Sequence, residues 1–318
     1  MTLPTTDVRS GHSAPVSSGP RFLQGAKGRD LRNYLLALGF LSPSLVVFLA
    51  FVFIPLVRSI QLSFHSTNPL GQMRDFVGFD QYQRMFTNPE FYNSIRVSIS
   101  FAIIAVFLTV TLALGLALLG NIRVRGITIF RAFFSSTIAV SGATASLIFL
   151  LLFNLSIGVL NYVLDLLQLP RVPWLTDPSW ALVSVSMVTV WLALGLNTII
   201  LLAGMQGIPD ELYEAARIDG AAFWSQFRHV TLPLLSPTIF FLIVIDTLSA
   251  FQAFTQISVM TRGGPVNATN TLVYSIYREF FFNGAYGYAA AQAVILLVIM
   301  LMLTTFQFFG LERKVYYQ

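Results

Sequence analysis

Long runs of apolar residues alternate with polar segments along this chain. Six uncharged or nearly uncharged runs cover residues 34–57, 97–120, 132–153, 180–204, 237–260 and 285–309. Each run is at least about 20 residues long, which is the length of a helix that crosses a bilayer. None alternates apolar and polar residues as barrel strands do, so helices are the way to satisfy the backbone in lipid. The pattern predicts an all-α integral membrane protein with six transmembrane helices.

The two ends of the chain differ from the apolar region between them. Residues 1–33 are rich in Ser, Thr, Gly and Pro, and the segment ends in a basic cluster around Lys27 and Arg29. No apolar run or small-residue cleavage site occurs early enough for a signal peptide. We therefore expect a flexible tail over 1–33, a six-span domain over 34–310 and a short second tail over 311–318.

The composition narrows the classes of function. Hydrophobic residues make up 55% of the 318 residues, charged residues 10%, and the mean hydropathy is +0.72. Average globular proteins carry about 25% charged residues, so a cytosolic enzyme or a nucleic-acid-binding domain is excluded. Cysteine is absent and the three histidines are scattered. The absence of cysteine excludes a disulfide framework and a thiolate site. Three scattered histidines are too few for a metal cluster.

The net charge of +5 informs the orientation of the spans. If the N-terminus lies inside, the inner segments hold more of the 19 Lys and Arg residues than the outer segments do. Inner loops of membrane proteins carry such an excess. We therefore expect both termini in the cytoplasm.

The outer loops then cover 58–96, 154–179 and 261–284, and they are rich in aromatic residues. Examples are Phe79 and Phe91 in the first loop and Trp174 in the second. Such rings either lie in a belt at the lipid headgroups or form a docking surface for an external partner.

The loop between the fourth and fifth spans, residues 205–236, predicts two short cytoplasmic helices with a sharp turn. Gly220 suits the turn, because a left-handed backbone is unfavourable for residues with a Cβ. We expect Pro233 to stop the second helix before the fifth span starts. From the residues alone, the hairpin either inserts into a soluble partner or packs under its own membrane bundle.

The run Glu214-Ala215-Ala216-x-x-Asp219-Gly220-Ala221, followed by Leu232-Pro233, resembles the EAA loop of ATP-binding-cassette importer permeases. The resemblance implies a type I permease fold in which this loop is the coupling-helix hairpin that contacts the ATPase. It assigns ATPase coupling to Glu214, Ala215, Ala216, Asp219, Gly220 and Pro233.

Two further segments resemble the carbohydrate-uptake branch of that family. They are Phe76-Val77-Gly78-Phe79 in the first outer loop and Thr261-Arg262-Gly263-Gly264-Pro265 in the third. The C-terminal stretch, from Gly263 through Glu279 and again over 312–318, resembles the UgpA-type permeases of glycerol-3-phosphate importers. The implied solute is glycerol-3-phosphate or a glycerophosphodiester, and the alternative is a mono- or oligosaccharide.

The resemblance also implies the partners. They are a second permease subunit, two ATPase subunits and an external solute-binding protein, assembled in a prokaryotic inner membrane. The chain has no G-x-x-x-x-G-K-[ST] loop, so ATP and Mg²⁺ are expected on the partner ATPase and no cofactor on this chain. The expected role is that of a permease subunit, not an enzyme, that binds lipid and no nucleic acid.

Polar residues within the spans are candidates for the substrate path. Asp246 is the one charged residue inside a predicted span, and a central Asp costs about 2.5–3.5 kcal/mol to insert. It therefore faces the bundle interior, where it either lines the path or makes an interhelical hydrogen bond. The candidate path residues are Asn197, Asp246, Gln252, Thr255 and Gln256.

A second class of function remains open at this point. An ion-coupled secondary transporter would use Asp246 as its coupling-ion site. It would leave the cytoplasmic hairpin unexplained, and it would transport without ATP.

Overall fold

The computed structural model describes the backbone of residues 26–122 and 124–311, and the side chains of 33–34, 36–122 and 124–310. The predicted tails therefore lie largely outside the described residues, apart from a helix that begins within 1–33. The chain divides into two compact units, with the boundary between Val57 and Arg58.

The described residues are mostly helical. The α-helices are α1 (Ala26–Phe48), α2 (Ile54–Leu62), α3 (Asp80–Thr87), α4 (Pro89–Gly120), α5 (Ile127–Ser135), α6 (Gly142–Leu152), α7 (Val159–Leu166), α8 (Pro178–Gln206), α9 (Asp210–Ile218), α10 (Phe223–Gln226), α11 (Leu232–Phe251), α12 (Thr255–Met260), α13 (Leu272–Phe281) and α14 (Tyr286–Leu311). Two π-turns, Leu49–Phe53 and Phe227–Thr231, and a 3₁₀ turn, Ser136–Ala139, connect some of them.

Among the residues that the structure describes, five helical segments are long and apolar enough to cross a membrane. They are Leu36–Leu62, Pro89–Gly120, Pro178–Gln206, Phe223–Met260 and Tyr286–Gly310. They correspond to five of the six predicted spans. A sixth span exists only if two helices joined by a bend are counted together.

The predicted third span, 132–153, is not one straight helix. Ile127–Ala139 and Gly142–Leu152 meet at 104°. Val140 and Ser141 have extended backbones at the bend, and the Ser141 hydroxyl accepts a hydrogen bond from the Thr144 N–H at 3.2 Å. Serine is a favoured N-cap, so Ser141 starts a new helix where the apolar pattern alone predicts continuity.

In the first unit, α1 continues through a proline. Pro43 has no N–H to donate to the Gly39 carbonyl, as a helical residue normally would. The Ser42 hydroxyl donates to that carbonyl at 2.9 Å instead. The lost backbone bond is therefore replaced by a side chain, and the helix continues.

In the second unit, α4 carries a stripe of small buried residues spaced four, seven or eight positions apart, which is one or two helical turns. Ser94, Ser98, Ala105, Ala113 and Ala117 are each at most 2% exposed. This face packs against α8 and α11. Small residues let helix backbones approach closely in lipid, where apolar side chains gain little from burial against each other.

The N-terminal end of α4 also holds a loop in place. The Ser94 hydroxyl accepts a hydrogen bond from the Asn270 side-chain amide at 3.1 Å, and the Ser98 hydroxyl accepts one from the Leu272 N–H at 2.8 Å. Arg278 forms a 2.9 Å ion pair with Glu90, at the start of α4. The segment before and within α13 is therefore anchored to α4.

The first predicted outer loop contains a short antiparallel hairpin that the apolar pattern did not predict. Its strands are β1 (His65–Thr67) and β2 (Met73–Phe76). The aromatic residues of this loop do not share one environment: Phe79 is exposed, whereas Phe91 is 1% exposed in the core. Both interpretations of the loop's rings, headgroup belt and docking surface, are therefore wrong for Phe91.

The bend before α6 lies directly against α8 at Gly195. A Cβ at this glycine would be 2.4 Å from the Thr137 hydroxyl oxygen and 2.6 Å from the Phe134 carbonyl oxygen. No side chain fits at this distance, so the close approach of the two segments requires glycine.

We expect Gly195→Ala to destabilise the second unit by about 1–3 kcal/mol, because the new methyl overpacks this contact. Gly115→Ala is the matched control, since its site in α4 has no atom within 4 Å of an added Cβ. The control should be neutral or stabilising by about 0.5–1 kcal/mol. Thermal unfolding of the two purified variants measures the difference. Equal stability of the two would contradict the packing at Gly195.

Candidate functional site

The predicted cytoplasmic hairpin lies between α8 and α11. Its first helix, α9, begins at Asp210 and ends at Ile218, and Gly220 follows with a φ of +78°. The Gly220 N–H donates to the Arg217 carbonyl, and the Ala221 N–H donates to the Ala216 carbonyl at 2.9 Å. The sharp turn predicted at Gly220 is therefore present.

The residues of the EAA-like run lie mainly on the surface. Glu214, Ala215, Asp219 and Gly220 are exposed, and Ala216 is half-buried. Large apolar side chains lie exposed beside them, with Ile218 at 87% and Trp224 at 72% exposure. The same surface carries the exposed charges of Glu214, Arg217 and Asp219, and the Glu214–Arg217 pair is a loose contact of 4.0 Å between exposed groups. This surface is suited to burial against another protein.

The second half of the hairpin differs from the prediction. Pro233 does not stop the second helix: α10 continues through the π-turn Phe227–Thr231 into α11. The Leu232 N–H donates to the Phe227 carbonyl, five residues back. Because Pro233 has no N–H for the His229 carbonyl, the helix widens by one residue instead of ending.

Two side-chain hydrogen bonds stabilise this continuous helix near Pro233. Pro237 has no N–H to donate to the Pro233 carbonyl, and the Ser236 hydroxyl donates to that carbonyl at 2.6 Å. The Tyr213 hydroxyl and the Thr231 hydroxyl are 3.0 Å apart and share a hydrogen bond. The second contact links α9 directly to the helix that enters the membrane domain.

Two of the candidate path residues meet inside the membrane domain. The Asn197 side-chain amide of α8 donates to both carboxylate oxygens of Asp246 in α11, at 3.1 and 3.0 Å. Asn197 is 2% exposed, and Asp246 is half-buried. Asp246 therefore makes the interhelical hydrogen bond that the sequence left as one of two interpretations, while part of its side chain stays accessible.

The other three candidates form a second group at the break between α11 and α12. Gln252 is exposed, whereas Thr255 and Gln256 are half-buried at the start of α12. Thr255 lies near the first residue of α6, since its side chain is 3.9 Å from a Cβ built on Gly142. The structure does not give these residues a contact with Asp246. The five candidates therefore form two groups rather than one.

A third polar region, which was not among the candidate path residues, lies along α12 and α13. Ser258, Arg262, Tyr274, Tyr277 and Arg278 line a cavity of about 590 Å³. Burial raises the pKa of the Tyr274 phenol, and the nearby Arg278 and Arg262 charges lower it by less. Helical spacing in α13 places Tyr274, Tyr277 and Arg278 on one face, but only the fold brings the loop residue Arg262 beside them.

The comparisons with known proteins agree with this architecture. Residues 166–315 match the family described as "Binding-protein-dependent transport system inner membrane component". The chain is 35% identical over 288 residues to the "sn-glycerol-3-phosphate transport system permease protein UgpA" of Agrobacterium fabrum, covering 90% of this chain and 97% of the relative. It is 34% identical over 263 residues to the "Trehalose/maltose transport system permease protein MalF" of Thermococcus litoralis, covering 82% and 88%.

The fold also matches a solved structure. A chain of the bacterial alginate ABC transporter, in complex with an alginate pentasaccharide-bound periplasmic protein, superposes with a TM-score of 0.74 and 24% identity. The match covers 88% of this chain and 94% of the other. The EAA-like hairpin, the apolar helices and these similarities lead to one conclusion. The chain belongs to the binding-protein-dependent transport system inner membrane component family and is a permease subunit of an ABC importer.

Proposed function

We propose that this permease subunit imports glycerol-3-phosphate or a glycerophosphodiester. The observation that carries the proposal is the 35% identity to the UgpA protein over 90% of the chain. Import of a mono- or oligosaccharide is the second candidate, favoured by the 34% identity to the trehalose/maltose MalF protein. Both candidate solutes would be carried by the same type of importer.

The importer is proposed to contain a second permease subunit, two ATPase subunits and an external solute-binding protein. The alginate transporter with its bound periplasmic protein supports the last of these by its fold. ATP and Mg²⁺ are bound by the ATPase subunits. Both termini of this chain lie in the cytoplasm of the prokaryotic cell, and the excess of Lys and Arg on that side supports this orientation.

The coupling hairpin is proposed to insert into a groove of an ATPase subunit. Ile218 and Trp224 supply the apolar surface, and Glu214 supplies a charge at its edge. Because Phe223–Phe251 is one continuous helix apart from a π-turn, a displacement of the hairpin passes directly into α11. The Tyr213–Thr231 bond makes α9 move with it. Closure of the ATPases therefore changes the position of Asp246 relative to α8.

The substrate path is proposed to run past the two polar groups of the membrane domain. Asn197 orients the Asp246 carboxylate, and the accessible part of this carboxylate accepts hydrogen bonds from solute hydroxyls. Gln252, Thr255 and Gln256 offer neutral donors and acceptors at the helix break. A neutral polyol portion of the solute suits these groups, whereas a phosphate would be repelled by Asp246.

Purification of the tagged chain from gently solubilised membranes tests the assembly and the solute together. We expect an ATPase, a second permease and a solute-binding protein to copurify, and the binding protein to retain glycerol-3-phosphate. Proteoliposomes then test transport of radiolabelled glycerol-3-phosphate and maltose with and without ATP. Uptake of maltose alone would select the sugar candidate, and uptake along an ion gradient without ATP would contradict the importer.

Gly220→Asp should separate ATP hydrolysis from uptake. The substitution places a side chain on a backbone with a φ of +78° and adds a charge to the surface that enters the ATPase. We expect ATP-driven uptake to fall at least about tenfold, which is about 1.4 kcal/mol of coupling free energy, while ATP hydrolysis continues.

Two controls separate the causes. Gly284→Asp has the same chemistry at a φ of +61°, also with no atom within 4 Å of the added Cβ, but outside the hairpin. It should keep wild-type uptake. Gly220→Asn tolerates the left-handed backbone without the charge, so it should retain more uptake than Gly220→Asp. Wild-type uptake by Gly220→Asp would contradict the coupling role.

Asp246→Asn tests the path role of the polar pair. The variant keeps the shape of the side chain and removes its charge, so we expect a raised KM and a lowered kcat for uptake. Gln307→Leu is the matched control, because it breaks another polar contact between α11 and a neighbouring helix, the 3.0 Å bond from Gln307 to Thr247. Each lost interhelical bond costs about 0.6 kcal/mol of stability. If Asp246→Asn keeps the wild-type KM and kcat and loses only this stability, the path role is wrong and the pair is a structural contact.

A further inference from the structure

The cavity along α12 and α13 has more positive than negative charge. Arg262 is exposed and has no carboxylate within salt-bridge distance among the described residues. Arg278 pairs with Glu90 at 2.9 Å and donates to the Asn267 side chain at 3.0 Å. These bonds use two of the five N–H donors of its guanidinium. Two cations therefore face one carboxylate.

Tyrosine hydroxyls line the same cavity. Tyr274 is 5% exposed, and its hydroxyl has no hydrogen-bond partner within the part of the chain that the structure describes. Because burial raises the pKa of this phenol, it stays protonated and can donate a hydrogen bond. Tyr277 lies beside it, with ring centroids 6.0 Å apart. The cavity thus combines guanidinium and phenol donors.

The loop that carries Arg262 is held in a defined position. The Arg262 N–H donates to the Ile257 carbonyl at 2.7 Å, and the residue has a φ of +52°. A Cβ at Gly263 would be 2.9 Å from the Tyr274 ring, so the loop backbone lies directly on that ring. The left-handed region is unfavourable for a non-glycine residue, and such a backbone persists where its surroundings determine it. The backbone of this arginine is therefore held in place by the fold.

The cavity is adjacent to the second group of candidate path residues. Ser258 lies one helical turn after Thr255 in α12, so both are on the same face. The ring of Phe254, at the start of this helix, contacts Tyr277 with centroids 4.7 Å apart. A solute bound at the cavity is thus within one helical turn of the path.

We propose that this cavity is an anion site that receives the phosphate group of the transported solute before its polyol portion reaches α11. Arginine binds phosphate through paired N–H groups, and tyrosine adds a third donor. The proposal rests on the proposed function, since it assigns the phosphate ester to a site that Asp246 does not share. A membrane phospholipid offers the same phosphate chemistry, so the experiment separates the two sources.

The test uses the absence of cysteine from this chain. Ser258→Cys introduces one thiol into the cavity of the complete importer, held in nanodiscs of phosphatidylcholine. Labelling of this chain is followed by mass with an anionic and a cationic methanethiosulfonate. The rate of each reagent is divided by its rate with a free thiol in solution. We expect this ratio to be about tenfold higher for the anionic reagent than for the cationic one, which is about 1.4 kcal/mol of electrostatic attraction.

Added ligands identify the occupant. Inorganic phosphate and glycerol-3-phosphate should slow labelling, whereas glycerol should not. Arg262→Gln should remove both the charge preference and the protection, and Arg262→Lys should keep the preference. Arg96→Gln is the matched control, because Arg96 is also an exposed arginine without a carboxylate partner among the described residues but lies outside this cavity. It should change neither result.

Three outcomes would overturn the proposal. Equal labelling by the two reagents would exclude a positive cavity. Lack of protection by phosphate would exclude an anion site. Protection by phosphatidylglycerol nanodiscs without added phosphate would assign the cavity to a lipid headgroup instead of the solute.

Uptake in proteoliposomes distinguishes failure of the site from failure of the proposed solute. With the proposal, Arg262→Gln lowers ATP-driven glycerol-3-phosphate uptake while maltose uptake, if any, is unchanged. Wild-type uptake of glycerol-3-phosphate by this variant overturns the site and leaves the solute in place. An unmodified importer that moves maltose but not glycerol-3-phosphate overturns the solute assignment, and the solute site with it, whatever the labelling result.

Discussion

The close contact of α4 with α8 and α11 is the constraint on which the second unit depends. In lipid, the hydrophobic effect does not pull apolar helices together, so their association relies on van der Waals packing and interhelical hydrogen bonds. The small buried residues of α4, from Ser94 to Ala117, allow that packing. Since α8 and α11 also flank the EAA-like hairpin, the same contact fixes the two ends of the hairpin and brings Asn197 to Asp246.

Polar groups act at both ends of this packed core. At one end, Ser94 and Ser98 hold the segment before α13 against α4, and this positions the arginines of the cavity. At the other end, the π-turn at Phe227–Thr231 joins the hairpin to α11 without a flexible link. A hairpin that is tied to a continuous helix moves that helix as a unit. This is the mechanical property that a coupling element needs, and it follows from the way the chain accommodates Pro233.

Much of the fold was predictable from the sequence, and the exceptions share a cause. Five spans follow from long apolar runs. The turn follows from Gly220, because glycine tolerates the left-handed backbone. The bend at Ser141 and the continuation through Pro233 were missed, because each depends on where backbone hydrogen bonds are remade. The burial of Phe91 was missed because an aromatic residue in a loop segment has the same composition whether it faces lipid or the core.

The sequence by itself determined the membrane class, the approximate spans, the family and the residues of the hairpin, since these depend on local composition and on one specific motif. Only the tertiary structure decided which polar residues meet. Asn197 and Asp246 are 49 positions apart, and Arg262 joins Tyr274 because a loop lies against that ring. Such contacts depend on how helices pack. A hydropathy pattern predicts the length of a helix, but not which of its faces is packed or against which neighbour.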